Sequence, residues 1–380
     1  MKELTVIFKP TNACNLNCTY CYAYNMRMQS IPSMSVEEAQ AAFDWLLKYC
    51  KFYNIDNLVV LWHGGEPLLC GEAFMRRVIN YYTPLFSDNG ITVTNKIQTN
   101  LTLLNSDLVG LIKDCFDSKI GFSFDYNSPT RCFPDGRDAS PVILDRIHFA
   151  QENNLSIRAI SLLTQYNCDQ IEELYNFFKR EKLSFKLNRI FRTEKPSEQA
   201  LKCAYTVSDQ QYIDAMCKLV DLWLSDKDPG ISVANITNMI IAFLQNRGVE
   251  CTGQKDCGKT FIGISAGGMI VPCGRFDSVD DCIGSFYTDS PEQVKQRRDE
   301  MAQINQSLKD LGCENCQYLK MCNGGCCHAR RTGWQIHDCT TSKAIWKHIE
   351  EQLSKFGLTQ GCLSHLSYEQ AQSLLKNTNL

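Results

Sequence analysis

Three cysteines near the N-terminus have a spacing that suits a catalytic metal site. Cys14, Cys18 and Cys21 lie in TNACNLNCTYCY, with the spacing C-x3-C-x2-C, directly after an apolar segment. Three thiolates hold three irons of a four-iron cluster and leave the fourth iron open, as catalytic metal sites keep one position free. The spacing therefore favours a catalytic iron–sulfur cluster. The alternative is a zinc site that takes its fourth ligand from elsewhere, such as His63.

A second group of cysteines crowds the C-terminal third. Its members are Cys251, Cys257, Cys273, Cys313, Cys316, Cys322, Cys326 and Cys339. These thiolates suffice for two fully coordinated four-iron clusters, which carry electrons because they leave no iron open. Two structural zinc sites would satisfy the same count. Cys327 is an extra thiol in this group, and we expect the bordering His328 and His337 at the surface rather than among the ligands.

The cysteine content indicates a reducing compartment. The chain has 21 cysteines among 380 residues, an odd number that disulfides cannot pair completely. The N-terminus, MKELTVIFKP, lacks the basic and apolar regions of a signal peptide, so we expect a cytoplasmic protein whose clustered thiols bind metals or clusters. The scattered cysteines are expected to be small buried hydrophobic residues. They are Cys50, Cys70, Cys115, Cys132, Cys168, Cys203, Cys217, Cys282 and Cys362.

Charge and hydropathy exclude two classes of partner. The 39 basic and 42 acidic residues give a net charge of -3, so bulk electrostatics gives no reason to expect nucleic acid. No window approaches 18 consecutive apolar residues, which excludes a membrane-spanning segment.

The elements that must position these cysteines alternate between strands and helices. Six strands are predicted, at 4–8, 57–62, 92–98, 120–125, 155–163 and 184–191. Amphipathic helices fill the gaps; the first has a capping box of Ser35 and Glu38 and runs through Lys48. Two further helices are predicted around 208–226 and 233–247. Six repeats with short connections predict an α/β fold with a parallel sheet or a partial (β/α)6 barrel, which falls short of the eight units of a closed one.

The N-terminal motif, with Tyr22 directly after its last cysteine, resembles the radical S-adenosylmethionine (SAM) superfamily over about residues 4–195. The resemblance implies a 4Fe–4S cluster whose open iron chelates the amino and carboxylate groups of SAM. Reduction, by an external donor of the flavodoxin or ferredoxin type, then cleaves SAM to methionine and a 5′-deoxyadenosyl radical.

Further residues support the resemblance because they follow successive predicted strands. Gly64, Gly65 and Glu66 in HGGEP are similar to the glycine-rich motif that holds the methionine amino group. Glycines let backbone carbonyls approach an ammonium group, and a carboxylate supplies the opposite charge. Gln98 and Asn100 in QTN match the end of the family's next strand.

The remaining SAM contacts are also implied by the resemblance. Ser123 and Asp125 stand where family members contact the ribose, and Tyr20 stands where the adenine packs. Arg131 fits the arginine that meets the SAM carboxylate, although Arg137 lies close enough in sequence to compete.

The second group of cysteines resembles the SPASM extension of radical SAM enzymes, which holds two auxiliary 4Fe–4S clusters and is shared by anaerobic sulfatase-maturing enzymes. Its ligand order implies that Cys251, Cys257, Cys273 and Cys326 hold the nearer cluster. Cys313, Cys316, Cys322 and Cys339 would hold the outer one, with Cys327 as a bystander. We therefore expect a radical SAM partial barrel at 1–200, a helical linker at 201–247, the SPASM domain at 248–345 and a helical tail at 346–380.

The resemblance implies a peptide or protein substrate, because enzymes with this extension mostly modify peptides. Sulfatase-maturing members carry an aspartate, thought to act as a base, directly after the cysteine that matches Cys273. Gly274 stands at that position here, and glycine cannot act as a base. Asp277, three residues further on, is a candidate for a displaced catalytic base.

The favoured function is therefore radical crosslinking or a related modification of a ribosomally made peptide. Sulfatase maturation and an iron–sulfur electron carrier are the alternatives. The cysteine motif begins at residue 14, so no winged-helix domain for a leader peptide is expected in front of it. Recognition is then expected to rest on the barrel surface, a separate protein or the C-terminal tail.

Iron content tests the two-group interpretation. Three four-iron clusters correspond to about twelve irons and about twelve sulfides in each anaerobically reconstituted chain. Elemental analysis and sulfide determination should return these values. Stoichiometric zinc, or iron near four, would contradict the interpretation of the C-terminal cysteines.

Overall fold

The computed structural model describes residues 2–23, 31–190, 207–227, 230–254, 257–276, 278–303, 312–331 and 335–377. Its strands form one open sheet of mixed direction. They are β1 Glu3–Lys9, β2 Asn57–Trp62, β3 Thr92–Thr99, β4 Lys119–Ser123, β5 Ser156–Leu163, β6 Ser184–Arg189, β7 Phe261–Ser265, β8 Met269–Val271 and β9 Gly284–Ser285. Their order across the sheet is β6-β5-β4-β3-β2-β1-β7-β8-β9.

The six predicted strands are confirmed and lie side by side in sequence order. Each of β1 to β5 pairs in parallel with the next strand, with Phe8 opposite Trp62 in the register of β1 and β2. Parallel pairing needs a crossover, and a helix lies in each of the five connections. The carboxyl ends of the strands therefore share one edge, where α/β proteins build their sites.

The helices and helical turns follow the predicted alternation. They are α1 Val36–Tyr53, α2 Glu72–Ser87, α3 Ser106–Cys115, α4 Ser140–Glu152, α5 Ile171–Arg180, α6 Asp209–Ser225, α7 Ala234–Gln245, α8 Cys257–Thr260, α9 Pro291–Gln303, α10 Leu319–Cys322, α11 Cys327–Arg331, α12 Gln335–Ser354 and α13 Tyr368–Asn377. The patterns predicted around 208–226 and 233–247 correspond to α6 and α7.

The start of α1 differs from the predicted capping box. The Ser35 side chain accepts a hydrogen bond from Glu38 N, as expected of an N-cap. The Glu38 carboxylate, however, accepts a hydrogen bond of 2.8 Å from Gly267 N, in the turn between β7 and β8. The helix also continues beyond Lys48 to Tyr53, because Tyr49 and Cys50 extend its buried face.

Aromatic packing holds α1 and α2 against the sheet. The Phe8 ring lies 4.9 Å from Phe43 and 5.0 Å from Trp62, and Phe43 stacks on Tyr82 at 4.0 Å. Each of these side chains is almost fully buried. Burial of one large apolar side chain stabilises a fold by roughly 1.5–3 kcal/mol, so this cluster fixes β1 and β2 firmly.

The sheet continues across the boundary predicted at residue 248. β7 pairs in parallel with β1, and β8 and β9 follow it in antiparallel order. The Trp45 indole N–H on α1 also donates to the Asp289 carbonyl at 2.7 Å, and α9 packs on α1. The segment after residue 248 is therefore joined to the N-terminal part by backbone pairing as well as by side chains.

The C-terminal tail packs on the middle helices. α12 lies against α6 and α7, and α13 lies against α7. His348 and Asp221 form a hydrogen bond of 2.7 Å between α12 and α6, and Ile349 is fully buried. No helix in the part of the chain described here has the length and apolar character that a membrane crossing requires.

The scattered cysteines are less uniformly buried than predicted. Cys50 and Cys168 are buried, whereas Cys362 is exposed in the turn before α13, so the prediction was wrong for that residue. Those of intermediate burial are Cys70, Cys115, Cys132, Cys217 and Cys282. Cys203 lies outside the described residues.

Asn235 protects the outer edge of β6 and provides a stability test. Its buried side chain accepts from Leu187 N at 3.2 Å and donates to Leu187 O at 2.9 Å. Asn235→Ala should lower the free energy of unfolding by about 1–3 kcal/mol, because both backbone groups lose their partner in a buried place. Anaerobic urea unfolding followed by circular dichroism measures the change. Gln210→Ala on the exposed face of α6 is the control and should unfold like wild type.

Candidate active site

The first three cysteines lie in a loop at the carboxyl end of β1. This cysteine loop, residues 10–23, is held by the glycine loop, residues 63–66, at the end of β2. Gly65 N donates to Thr11 O at 3.0 Å, and Glu66 N donates to Ala13 O at 2.8 Å. The two neighbouring strand ends are thus joined by backbone hydrogen bonds directly before Cys14.

The two glycines are required by this close backbone approach. A Cβ atom at Gly64 would lie 2.3 Å from Thr11 O, and one at Gly65 would lie 2.1 Å from Ala13 O. Gly64 also has a φ of 115°, which favours glycine. The glycines were predicted to let an ammonium group come close to the backbone. In the structure they also let the two loops touch.

Glu66 is fully buried, and its carboxylate joins the glycine loop to the end of β3. Oε1 accepts from Leu68 N at 3.0 Å and from the Thr99 hydroxyl at 2.6 Å, while Oε2 accepts from Asn100 N at 2.7 Å. Burial raises the pKa of Glu66, and these three hydrogen bonds oppose the increase. The carboxylate therefore holds the two strand ends together, in addition to its predicted role as the negative charge opposite the methionine ammonium group.

The predicted polar residues at the ends of β3 and β4 also meet. Gln98 donates from its amide to the Ser123 hydroxyl at 3.0 Å. Asn100 donates to Asn15 Oδ1 at 2.8 Å and to Cys14 Sγ at 3.7 Å. These contacts connect β3 to both the next strand and the cysteine loop.

Tyr20, Asp125 and Arg131 contact one another. The Tyr20 hydroxyl donates to Asp125 Oδ2, and Arg131 Nε lies 3.0 Å from the same oxygen. Asp125 Oδ1 accepts from Leu162 N at 2.8 Å, so both carboxylate oxygens have partners within the chain. Arg137, the competing arginine, instead pairs with Asp135 at the surface, where 73% of its side chain is exposed.

Lys9 lies beside Tyr22, and His63 lies near Lys9. Lys9 is 1% exposed, and its ammonium lies 5.8 Å from the centre of the Tyr22 ring. Burial, together with the Lys9 charge, lowers the pKa of His63 to about 4, so this ring is neutral at pH 7. His63 Nδ1 accepts a hydrogen bond of 2.8 Å from Gly64 N. The structure thus gives His63, the alternative zinc ligand, a local structural partner.

The thiols of the cysteine loop influence one another electrostatically. Burial raises the pKa of Cys18 to about 12; Arg131 acts in the opposite direction, and Cys21 and Cys14 add to the increase. A thiol must lose its proton to bind iron, so cluster assembly here would release protons and weaken as the pH falls.

The hydrogen-bond donors around these thiols fit an iron–sulfur cluster. Leu16 N lies 3.4 Å from Cys14 Sγ, and Arg131 Nη1 lies 3.8 Å from Cys18 Sγ. Within the described ranges, no three His, Cys, Asp or Glu side chains converge closely enough to hold a single metal ion. A four-iron cluster binds each thiolate through a different iron, so its thiolate ligands lie further apart than those of a single metal ion. The donors around Cys14 and Cys18 therefore suit the thiolates of a four-iron cluster.

Three members of the predicted nearer auxiliary set lie together. The charges of Cys326 and Cys251 both act on Cys273, and Arg275 faces the same three thiols. Cys257 begins α8, but its side chain is outside the part that the structure describes. Asp277, the predicted displaced base, is also outside the described residues.

The position after Cys273 faces β1. A Cβ atom at Gly274 would lie 3.4 Å from Ile7 Cγ2, which is an ordinary van der Waals distance. A larger side chain has room to begin there.

His328, predicted at the surface, is instead buried at 4% exposure with its ring 4.8 Å from Phe276. That prediction was wrong because Phe276 covers the ring; the His337 side chain is not described.

The predicted outer set surrounds one cavity. The cavity is small and is lined by Cys313, Cys316, Cys322 and Cys339. Lys343 and Trp346 of α12 complete its wall. Burial raises the pKa of Cys322 to about 11, and the charges of Cys339, Cys313 and Cys316 add to the increase. All four predicted ligands of this set therefore line the same cavity.

The N-terminal part of the chain matches a known family. The family model described as the radical SAM superfamily covers residues 8–178. The chain carries a radical SAM domain. The matched residues extend from β1 into α5, so the domain includes the cysteine loop, the glycine loop and the Asp125–Arg131 contact.

The chain is similar to curated proteins over most of its length. It is 25% identical over 338 residues to the cysteine-type anaerobic sulfatase-maturating enzyme of Clostridium novyi, covering 86% of this chain and 88% of that protein. It is 21% identical over 348 residues to the serine-type anaerobic sulfatase-maturating enzyme of Bacteroides thetaiotaomicron, covering 86% and 83%.

Solved structures share the fold of this chain. Native anSMEcpe with bound AdoMet and a peptide has a TM-score of 0.77 at 18% identity, over 93% of this chain and 98% of that one. SuiB of Streptococcus suis, bound to the precursor peptide SuiA, has a TM-score of 0.57 at 17% identity, over 86% and 72%. The partial-barrel fold is thereby confirmed, and the likeness extends beyond the radical SAM domain into the C-terminal third.

Sequence reasoning missed several residues that shape the site. Lys9 was not singled out, although a charged residue that closes an apolar strand directly before the cysteine loop is a usable signal. Asn15 and Thr99 were also missed; each is an ordinary polar residue whose role comes from contacts with Asn100 or Glu66. No local sequence pattern marks such contacts.

Substitution of Gly65 tests the contact between the two loops. Gly65→Ala should displace the cysteine loop, because the added methyl group would meet both Ala13 O and Asn12 O below 3 Å. We expect iron to fall from about twelve to about eight atoms per chain as the first cluster is lost. Gly110→Ala in α3 is the matched control, since its nearest neighbour would be at 3.6 Å. Equal iron content in both variants would contradict the proposed contact.

Proposed function

We propose that this chain is a radical SAM peptide maturase with a SPASM extension and two auxiliary 4Fe–4S clusters. It would abstract a hydrogen atom from a residue of a ribosomally made peptide and form a crosslink or a related modification. The observation that carries the proposal is the grouping of the thiols. Three lie in the loop at the end of β1, and two further groups lie in the C-terminal third.

The first thiol group supports SAM cleavage. Cys14, Cys18 and Cys21 would hold the cluster with one iron open for SAM. When bound, the cluster and SAM would supply the 5′-deoxyadenosyl radical. Gly64 and Gly65 present backbone groups at the adjoining strand end, and the buried Glu66 carboxylate offers a charge that suits the methionine ammonium.

Other polar side chains at the same edge would orient SAM. Ser123 and Asp125 would contact the ribose, and the Gln98 amide donates to the Ser123 hydroxyl. Tyr20 and Tyr22 provide aromatic surface within the cysteine loop. Holding SAM in one orientation fixes which substrate carbon meets the radical, because proximity selects the hydrogen that is abstracted.

The two C-terminal thiol groups support an oxidative outcome. Cys251, Cys257, Cys273 and Cys326 would hold the nearer auxiliary cluster. The cavity lined by Cys313, Cys316, Cys322 and Cys339 would hold the outer one. A substrate radical that passes its electron to the nearer cluster and releases a proton reaches a net two-electron oxidation. An external flavodoxin- or ferredoxin-type donor would supply the electron that cleaves SAM.

A peptide substrate is supported by the relatives and the structural neighbours. The curated relatives are sulfatase-maturating enzymes, and solved neighbours hold peptides. Sulfatase maturation is the second candidate on this ground. Gly274 weighs against it, since the sulfatase-maturing pattern has an aspartate base there and the space beside Ile7 holds no side chain of residue 274.

Formation of 5′-deoxyadenosine tests the radical chemistry. Dithionite-reduced protein with SAM should release it, as measured by liquid chromatography. Replacement of Cys14, Cys18 and Cys21 together by alanine should abolish the product and leave about eight irons per chain. Cys362→Ala is the control, because that exposed cysteine lies outside the three groups. An active triple variant would refute the cluster assignment, and an inactive wild type with full iron would favour an electron carrier.

Two peptides and two variants test the substrate. We expect wild type to remove two hydrogens from a precursor peptide encoded nearby and to form no aldehyde on a sulfatase Cys or Ser peptide. Gly274→Asp should form more aldehyde on the sulfatase peptide than Gly274→Asn, which has similar size but no base. Mass spectrometry measures both products. Efficient aldehyde formation by wild type, with the precursor unchanged, would establish sulfatase maturation instead.

A further inference from the structure

A short strap, residues 130–132, is paired with the cysteine loop. Asn17 N donates to Cys132 O at 2.7 Å, and Thr19 N donates to Thr130 O at 3.0 Å. The Cys132 thiol also donates to Asn17 O at 3.1 Å. These bonds lie on either side of residues 18 and 131, so the backbone itself sets Arg131 opposite Cys18.

The Arg131 side chain is fixed at both ends of its guanidinium. Nη1 donates to Cys18 Sγ at 3.8 Å, and Nε lies 3.0 Å from Asp125 Oδ2. Asp125 is itself held by Leu162 N and by the Tyr20 hydroxyl. Arg131 is only 7% exposed, so this charge is shielded little by water. A permanently charged group is thus held beside one thiol of the cysteine loop.

We propose that Arg131 is a positioning residue for the first cluster, raising its reduction potential through the hydrogen bond and charge at Cys18. Hydrogen bonds to ligating sulfur and nearby positive charge stabilise the more negative, reduced state of a cluster. The inference rests on the proposed function, because it requires a cluster at Cys14, Cys18 and Cys21. The strap and Asp125 keep the guanidinium in place before SAM arrives.

The test is the midpoint potential of the first cluster without SAM, from a redox titration followed by electron paramagnetic resonance. The signal of this cluster is the one absent after replacement of Cys14, Cys18 and Cys21. Arg131→Gln should shift the midpoint to a more negative potential, and Arg131→Lys should shift it less. Arg137→Gln is the matched control, since it removes the same charge from an exposed arginine. Its midpoint should equal that of wild type.

Asp125→Asn provides a change of opposite sign. It removes a negative charge near Cys18 and keeps the arginine, so the midpoint should become less negative. If Arg131→Gln assembles no first cluster, the midpoint of Asp125→Asn tests the inference in its place. An unchanged midpoint in Asp125→Asn would then overturn the inference.

The SAM dissociation constant separates this role from the one implied by the family resemblance. It is measured on the oxidised variants. Weaker SAM binding by Arg131→Gln with an unchanged midpoint would assign Arg131 to the SAM carboxylate and overturn the inference. If the triple cysteine variant keeps every wild-type signal, no cluster occupies the cysteine loop and the proposed function fails as well. If the first cluster is present and its midpoint changes in neither the Arg131 nor the Asp125 variant, the present inference is refuted and the proposed function is not.

Discussion

The backbone contact between the cysteine loop and the glycine loop is the constraint on which the rest of the site depends. It brings Gly65 against Ala13 and leaves no space for a side chain between them. Glu66 then extends the connection to Asn100 through a buried carboxylate. Three successive strand ends are thereby fixed relative to the thiols. A site that must hold a cluster and direct a radical needs this rigidity, because small displacements change which atoms meet.

The place of β1 within the sheet explains how distant parts of the sequence share one site. β1 lies between β2, which leads into the glycine loop, and β7, which leads towards Cys273. Ile7 of β1 is accordingly the neighbour of Gly274. The C-terminal third therefore contributes to the environment of the barrel through the same sheet, in which Cys273 follows the β7–β8 hairpin.

The sequence was sufficient to predict the strands and the grouping of polar residues at their ends. Apolar runs such as 57–62 match the observed strand bounds because burial dictates both. The sequence was insufficient to predict where individual side chains point. Glu38 bonds to Gly267, over two hundred positions away, instead of closing its capping box, and His328 is buried by Phe276. Such outcomes depend on tertiary neighbours, which local spacing does not encode.

Each thiol group has a basic side chain beside it. Arg131 faces Cys18, Arg275 faces the group containing Cys273, and Lys343 lines the cavity of the outer group. Thiolates brought together repel one another, so a nearby cation reduces the cost of gathering them and also favours the reduced state of a bound cluster. Arg131 is held in place by the buried Asp125 carboxylate and by the backbone pairing of the strap with the cysteine loop. The electrostatic environment is therefore rigid where SAM would be cleaved, and that is where the redox demand of the proposed reaction is greatest.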